Sequence, residues 1–306
     1  MRVFCSLNAF FVFLPDVLDK MNYEIRMKPV APTDPKGRLL STINGPLHVV
    51  EEGPEDGVPL LLFHGIPGSV RDFRYLGPEL AKVGVRSIRV DAPGFGATPW
   101  ESFPHSAQLA RGQWVELLLN ALDVDDALLG AHSFGGTTAM TAAALFPERI
   151  RGLVLMNTPG LRRHQGLRFV PPSVLKILAK GFSHRRAGPL LSDAMRKSYM
   201  QIGLKGVEKL THDDIHHHAQ LVGDLHFRNQ RWAARTLECP TFIFSGGKDP
   251  IVESEICFHL AESIAKGGRN RVEHHHFRKG GHYLQRDQAP FIARTLSRAI
   301  ENGLAA

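Results

Sequence analysis

The chain has 306 residues, of which 43% are hydrophobic and 22% charged, so it can bury a large core and is not a disordered protein. The 37 Lys and Arg residues exceed the 30 Asp and Glu residues and give a formal net charge of +7. A basic balance suits nucleic acid, an anionic membrane surface or an acidic substrate. The sequence has no zinc-finger spacing and no basic run interleaved with aromatic residues, so we expect no nucleic-acid partner.

The cysteines and the N-terminus bear on where the protein resides. Cys5, Cys239 and Cys257 are too few and too scattered for a disulfide framework, which favours a reducing, cytoplasmic location. Residues 3–14 form an apolar segment, but it is shorter than the ~20 residues that a membrane-spanning helix needs. Acidic residues follow it instead of a small-residue cleavage site. We expect residues 1–37 to be an N-terminal extension, and segment 3–14 leaves targeting open.

Strand and helix signals alternate from residue 38 onward. Residues 38–45 and 46–53 predict two strands joined at Asn44-Gly45, a strong hairpin signal. The run VPLLLF at Val58–Phe63 is typical of a strand buried on both faces. The further predicted strands are 85–90, 127–131, 153–156, 241–244 and 272–277, and the predicted helices are 69–83, 105–122, 134–146, 253–265 and 288–302. This order predicts a mostly parallel sheet flanked by helices.

Residues 161–235 interrupt the alternation with helical patterns and no apolar strand run. They hold 14 Lys and Arg against 5 Asp and Glu, a net charge of +9 that leaves −2 for the rest of the chain. This shift predicts an inserted helical unit at 161–235, between core segments 38–160 and 236–306. An apolar face at 172–182 allows a membrane-surface contact, although packing over the active site is the stronger interpretation. The basic charge also suits an acidic substrate.

The sequence AHSFGG at 131–136 falls where a buried strand meets a helix and matches the nucleophile elbow, in which small residues flank the nucleophile. Ser133 is the candidate nucleophile. Ala131 stands where Gly is usual, but its methyl group is small enough for the turn to form. The helix that follows directs its positive N-terminus toward the site.

A serine nucleophile needs a base to take its proton and a third group to orient that base. Asp249 follows the penultimate predicted strand in SGGKDP, and His282 follows the last strand in GGHY. Both therefore lie at the carboxyl ends of parallel strands, where sites in such sheets form. Ser133, Asp249 and His282 are the predicted catalytic residues.

An oxyanion hole requires two backbone N–H groups directed at the developing negative charge. The N–H of Phe134, directly after the nucleophile, is one candidate. The sequence HGIPG at 64–68 follows the VPLLLF strand, and the N–H of Ile66 is the other candidate. Pro67 has no N–H and helps fix the turn.

Several other polar residues have structural interpretations. We expect His64 to brace the loop after the VPLLLF strand and the side chain of His132 to point away from the nucleophile. Asp91 is expected to bind local backbone N–H groups. The tract 216–218 with His212 offers histidines one helical turn apart, but without a motif such as HExxH we predict no metal site.

Together these segments resemble the capped branch of the α/β-hydrolase superfamily, which includes epoxide hydrolases, haloalkane dehalogenases and many serine esterases. The resemblance spans roughly residues 38–302, and its motifs are HGIPGS at 64–69, DAPGFG at 91–96, AHSFGG at 131–136, GGKD at 246–249 and GGH at 280–282. It implies an α/β-hydrolase fold with a helical cap after the sixth strand and a mechanism without a cofactor. Some relatives carry the catalytic acid at the position of Asn157, which is not acidic, so Asp249 is favoured.

The serine at position 133 selects among the chemistries of this superfamily. Epoxide hydrolases and dehalogenases attack with a carboxylate, so those reactions are disfavoured here. We expect a serine hydrolase that cleaves a small carbonyl substrate, such as a carboxylic ester, thioester or lactone, through an acyl-enzyme on Ser133. The alternatives are a carbon–carbon bond hydrolase or lyase of the same fold, and a binding protein without turnover. The complete triad weighs against the last.

Overall fold

A computed structural model describes residues 11–13, 35–163, 177, 180–201, 204, 207–267 and 270–304. In these ranges the strands are β1 (Phe11–Phe13), β2 (Arg38–Thr42), β3 (Gly45–Glu52), β4 (Val58–Phe63), β5 (Val85–Val90), β6 (Ala127–His132), β7 (Ile150–Met156), β8 (Thr241–Gly246) and β9 (Val272–Phe277). The α-helices are α1 (Leu76–Ala81), α2 (Gln108–Ala121), α3 (Gly135–Leu145), α4 (Ala187–Gln201), α5 (His212–Gly223), α6 (Phe227–Thr236), α7 (Ser254–Lys266), α8 (Leu284–Asp287) and α9 (Ala289–Ala299).

The strands form one sheet in the order β1-β9-β8-β7-β6-β4-β5-β3-β2. Only the pairings of β3 with β2 and β5 are antiparallel; the other neighbouring strands run parallel. The predicted mostly parallel sheet is therefore confirmed. Because β6, β8 and β9 are parallel, their carboxyl ends bring Ser133, Asp249 and His282 to the same edge of the sheet.

The hairpin between β2 and β3 turns one residue earlier than predicted. Thr42 pairs with Gly45, so the turn consists of Ile43 and Asn44, and Gly45 is already the first residue of β3. The hydroxyl of Thr42 stabilises this turn, since it donates to Gly45 O at 2.7 Å and accepts from Asn44 N–H at 3.3 Å. Gly45 has a φ of 134°, a conformation that glycine adopts without strain.

The core has two layers, one on each face of the sheet. Strand β4 shows why, because Leu60 and Leu62 join the cluster under α1 and α9, whereas Leu61 and Phe63 join the cluster under α2, α3, α6 and α7. These four side chains are buried, as VPLLLF predicted. Burying a side chain of this size stabilises the fold by about 1.5–3 kcal/mol.

Helices α4, α5 and α6 lie between β7 and β8, where the sequence predicts an inserted helical unit. Counted from β2, β7 is the sixth strand. Helices α4 and α5 pack together around Phe182, Ile215 and Ala219, whereas α6 packs against α3 and α7. Thr211 begins α5 with a capping box, in which it accepts from Asp214 N–H. The division into core and cap stays a prediction.

Two sequence features lie largely outside the described residues. Of the apolar face at 172–182, the structure describes only residues 177 and 180–182. Of the N-terminal extension, it describes residues 35–37 and β1, which pairs in parallel with β9 at the sheet edge. None of the helices in the described ranges combines the length and the apolar character required to cross a membrane.

Candidate active site

Ser133 occupies the sharp turn between β6 and α3. It has a φ of 50°, in the left-handed region that a serine adopts only where its surroundings enforce it. Two backbone bonds hold the turn: Ser133 N–H donates to Met156 O at 2.9 Å, and Gly136 N–H donates to Ser133 O at 3.0 Å. Ala131 is fully buried, so the methyl group in place of the usual hydrogen is accommodated. The predicted elbow is thus present in the backbone.

Asp249 and His282 lie together although 33 residues separate them. Nδ1 of His282 donates to Asp249 Oδ2 at 2.7 Å, and both side chains are almost completely buried. The other carboxylate oxygen of Asp249 accepts from the backbone N–H groups of Ile251 and Val252, at 2.8 and 2.9 Å. These bonds fix the carboxylate and leave Nε2 of His282 as the imidazole nitrogen that faces away from it.

The loops that carry Asp249 and His282 are joined by Asn157, which follows β7. Its amide nitrogen donates to Gly281 O at 2.9 Å and to His282 O at 3.0 Å. Its amide oxygen accepts from Gly246 N–H at 2.8 Å, at the end of β8. The sequence analysis weighed Asn157 only as an alternative acid and did not predict this role.

The third contact of a triad is not formed in this structure. Within the described ranges no hydrogen bond joins Ser133 Oγ to His282 Nε2. Such bonds are often long without a substrate and tighten during the reaction.

The loop after β4 packs directly against the elbow. A Cβ on Gly65 would lie 2.9 Å from Ser133 Cβ, and one on Gly135 would lie 2.4 Å from Phe63 O. Only hydrogen fits at both positions, so the two turns interlock. The N–H groups of Ile66 and Phe134 donate to no other group in the part of the chain that the structure describes. Neither N–H is thus occupied within the described residues, and the oxyanion hole stays a prediction.

The neighbouring polar residues serve as braces. His64 joins two loops, because Nδ1 donates to Gly65 O at 2.8 Å and Nε2 accepts from Ala92 N–H at 3.0 Å. Asp91 accepts from the backbone N–H groups of Val70 and Ala97, at 2.7 and 2.9 Å. Both roles agree with the sequence-based expectation.

The ring of His132 lies beside that of His282, with 4.6 Å between the ring centroids, so it borders the site and the expectation that it points away is wrong. It supports the loop of His282. Its Nε2 lies 2.8 Å from the backbone oxygen of His282. Burial, helped by the neighbouring imidazole of His282, holds the pKa of His132 well below its ordinary value. The residue is therefore neutral and donates from Nε2.

A cavity opens beside the two candidate oxyanion donors. The cavity is small and partly open to solvent, and Ile66 and Phe134 belong to its wall. The rest of the wall includes five large aromatic side chains, those of Phe63, Phe95, Trp100, Phe103 and Trp114. Such a cavity suits a small, mainly apolar group next to the reacting carbonyl.

Comparison with known proteins agrees with this architecture. Residues 58–289 match the family described as alpha/beta hydrolase fold. The chain belongs to the α/β-hydrolase family. It is 31% identical over 259 residues to 2-hydroxymuconate semialdehyde hydrolase of Pseudomonas sp. (strain CF600), covering 78% of this chain and 84% of that protein. A haloalkane dehalogenase of Psychrobacter cryohalolentis is 32% identical over 114 residues, 37% of each chain.

Solved structures show the same α/β-hydrolase fold. The enol-lactonase from Burkholderia xenovorans LB400 matches with a TM-score of 0.66 and 19% identity over 86% of this chain and 100% of that one. A thermophilic esterase from Thermogutta terrifontis matches with a TM-score of 0.64 and 21% identity, over 88% and 99%. The family and these relatives make the chain a hydrolase of the α/β fold.

Arg111, on α2, also lines the cavity described above. The sequence analysis did not identify this residue. It is only 7% exposed, and its guanidinium carbon lies 4.5 Å from the centroid of the Phe134 ring. A signal was available in the sequence, because Arg111 precedes the buried Val115 and Leu118 by four and seven positions. That spacing places an arginine on the apolar face of the helix.

Helix α5 meets the loop after β5 through stacked rings. His218 stacks on Phe95 with 4.8 Å between ring centroids, and His217 stacks on Trp100 at 4.3 Å. Both nitrogens of the fully buried His218 lack a partner in the described residues, and burial lowers its pKa to about 3. Within the described ranges, no group of three or more His, Cys, Asp or Glu side chains is arranged to hold a metal ion.

Proposed function

We propose that this α/β-hydrolase is a serine hydrolase that cleaves a small ester-type substrate, a carboxylic ester, thioester or lactone, through an acyl-enzyme on Ser133. The observation that carries the proposal is a serine at a strained elbow, at the same sheet edge as a histidine hydrogen-bonded to a fixed carboxylate. Dehalogenases and epoxide hydrolases attack with a carboxylate, which Ser133 does not provide.

In the proposed reaction, Ser133 Oγ attacks the carbonyl carbon while Nε2 of His282 takes its proton. Asp249 holds the proton on Nδ1 and stabilises the imidazolium that results, since its carboxylate lies 2.7 Å away. The imidazolium then donates its proton to the leaving alcohol or thiol. Water, activated by the same imidazole, attacks the acyl-enzyme and releases the acid.

The N–H groups of Ile66 and Phe134 bind the oxyanion in both steps. Support comes from their lack of other acceptors in the described structure and from the packing of Gly65 against Ser133. Loss of one such donor costs about 3 kcal/mol of transition-state stabilisation. None of these steps uses a cofactor or a metal.

Carbon–carbon bond hydrolysis is the second candidate. The 31% identity to a 2-hydroxymuconate semialdehyde hydrolase over most of both chains favours it. The same serine, histidine and oxyanion donors serve a substrate whose leaving group is carbon rather than oxygen. A lyase has less support than these two reactions. A binding protein also has less support, because it needs no hydrogen-bonded Asp249–His282 pair.

We further propose that the protein acts on a small molecule in the cytoplasm. Two cysteines, Cys239 and Cys257, are buried and free, in keeping with a reducing compartment. Nucleic acid is not proposed as a partner, and a membrane surface remains only a secondary proposal from the 172–182 pattern.

The test is covalent labelling with a fluorophosphonate probe. We expect the wild type and Ser41→Ala, which removes an exposed serine, to be labelled and Ser133→Ala to be unlabelled. Labelling that persists in Ser133→Ala would refute the mechanism. A panel of esters and a vinylogous diketone then separates the two candidates, because turnover of the diketone with poor ester hydrolysis favours carbon–carbon cleavage.

A further inference from the structure

Arg111 is a buried cation whose hydrogen bonds are incomplete. Its Nε donates to Ser106 O at 3.2 Å, and Nη1 donates to Thr137 Oγ1 at 3.0 Å and Thr138 Oγ1 at 2.8 Å. Nη2 is also buried, and no group in the described residues accepts from it. A buried charged donor without an acceptor is costly, so a ligand that supplies one gains a strong hydrogen bond.

The charge of Arg111 is not neutralised by a hydrogen-bonded carboxylate of the described chain. Asp224 is near enough to attract it, but Oδ2 of Asp224 accepts from Ser106 Oγ instead. Burial lowers the pKa of Arg111 to about 9, which leaves it cationic at neutral pH. The wall of a cavity with many aromatic side chains thus carries a positive charge.

The position of Arg111 links this charge to the reacting atoms. Arg111, Thr138, Ile66 and Phe134 line the same cavity, and the guanidinium stacks on the ring of Phe134. The backbone N–H of Phe134 is a candidate oxyanion donor. Nη2 itself is buried, so a group that reaches it must displace part of the surrounding wall. With that movement, one small molecule can place its carbonyl at the candidate oxyanion donors and a second group at Arg111.

We propose that Arg111 determines specificity by binding, through Nη2, a carboxylate that the substrate carries away from the scissile carbonyl. The inference rests on the proposed acyl transfer at Ser133 and deepens it, since it names the substrate class as monoesters or lactones of carboxylate-bearing acids. The N–H groups of Arg111 that lack an acceptor are both on Nη2. This arrangement suits one carboxylate oxygen better than a dianionic phosphate. Hence the substrate is anionic.

The test compares two activated esters of similar length, mono-4-nitrophenyl glutarate and 4-nitrophenyl pentanoate. The measured quantity is the ratio of their kcat/KM values, anionic over neutral. In Arg111→Met we expect this ratio to fall by about 30-fold or more, and Arg111→Lys to restore part of it. Arg185→Gln, which removes an exposed charge from the helical insertion, controls for the overall basic field and leaves the ratio unchanged.

A binding measurement separates this inference from the proposed function. We expect glutarate to raise the melting temperature of Ser133→Ala and to have no such effect on Ser133→Ala/Arg111→Met. Glutarate binding that depends on Arg111, in a protein that hydrolyses neither ester, supports the carboxylate site and rejects the ester reaction. Hydrolysis with an unchanged ratio in Arg111→Met overturns the inference. If that variant does not fold, an unchanged ratio in Arg111→Gln, which also removes the charge, overturns it as well.

Discussion

His218 gives the sharpest test of the electrostatics of this fold. Its ring is fully buried against Phe95, and neither nitrogen has a partner in the described structure. Burial lowers its pKa to about 3, against 6.5 for an unperturbed histidine. The folded protein therefore keeps His218 neutral at pH values at which the unfolded chain protonates it. We predict that His218→Phe makes the protein less sensitive to acid.

The magnitude follows from proton linkage. When the pKa of a histidine is lower in the folded protein than in the unfolded chain, the free energy of unfolding decreases as the pH falls from the unfolded-state pKa toward the folded-state pKa. Between pH 7 and pH 5 the unfolded state gains about 0.7 proton at this site and the folded state gains almost none. The free energy of unfolding of the wild type should thus fall by about 2 kcal/mol through His218 alone.

The assay is denaturant unfolding at pH 7 and pH 5. The loss of stability between these values should be about 2 kcal/mol smaller in His218→Phe than in the wild type. The phenyl ring retains the stack on Phe95 and buries no unpaired nitrogen, so the variant should also be at least as stable at pH 7. His259→Gln, an exposed site, should match the wild type. Equal losses in the wild type and His218→Phe would refute the reasoning.

Two further predictions concern Asp72 and Asn157. Burial raises the pKa of Asp72 to about 7, and its Oδ2 has no partner in the described residues. The folded state then holds a proton that the unfolded chain releases above about pH 4, so Asp72 lowers stability by about 2 kcal/mol from pH 5 to pH 7. Asp72→Asn removes this loss, so in denaturant titrations its stability at pH 7 relative to pH 5 should be about 2 kcal/mol higher than that of the wild type. The same difference between pH 5 and pH 7 in both proteins would contradict the buried carboxyl. Asn157→Ala should lower kcat about 10- to 100-fold with little change in KM, because the loop of His282 loses two bonds to its backbone. Steady-state kinetics checks this, and unchanged kcat would show that other contacts position His282.

Much of the fold could be predicted because its signals are local. The continuous apolar run VPLLLF predicts β4, because such a run is typical of a strand buried on both faces. Strands β5 and β9 also have their predicted bounds. The turn of the first hairpin was wrong by one residue. A dipeptide preference favoured Asn44-Gly45, but the side chain of Thr42 and the pairing of Gly45 set the register.

Some residues of the candidate site could be predicted from the sequence and others could not. Ser133, Asp249 and His282 each follow a strand, so chain order and strand direction suffice to bring them to one edge. Arg111 could not be interpreted from its own segment. The hydroxyls that allow its burial, on Thr137 and Thr138, belong to another helix and are distant in sequence. The sequence pattern along α2 shows that an arginine lies on its apolar face, but it does not show which groups accept hydrogen bonds from that arginine.

The bridge formed by Asn157 determines what a carboxylate at the end of β7 would meet in this chain. The amide nitrogen faces two carbonyl oxygens, those of Gly281 and His282. An aspartate there would present a negative oxygen to both lone pairs and would release the histidine loop that it was meant to assist. A carboxylate at position 157 of this chain therefore requires the carbonyl groups of the loop at 280–282 to turn away first.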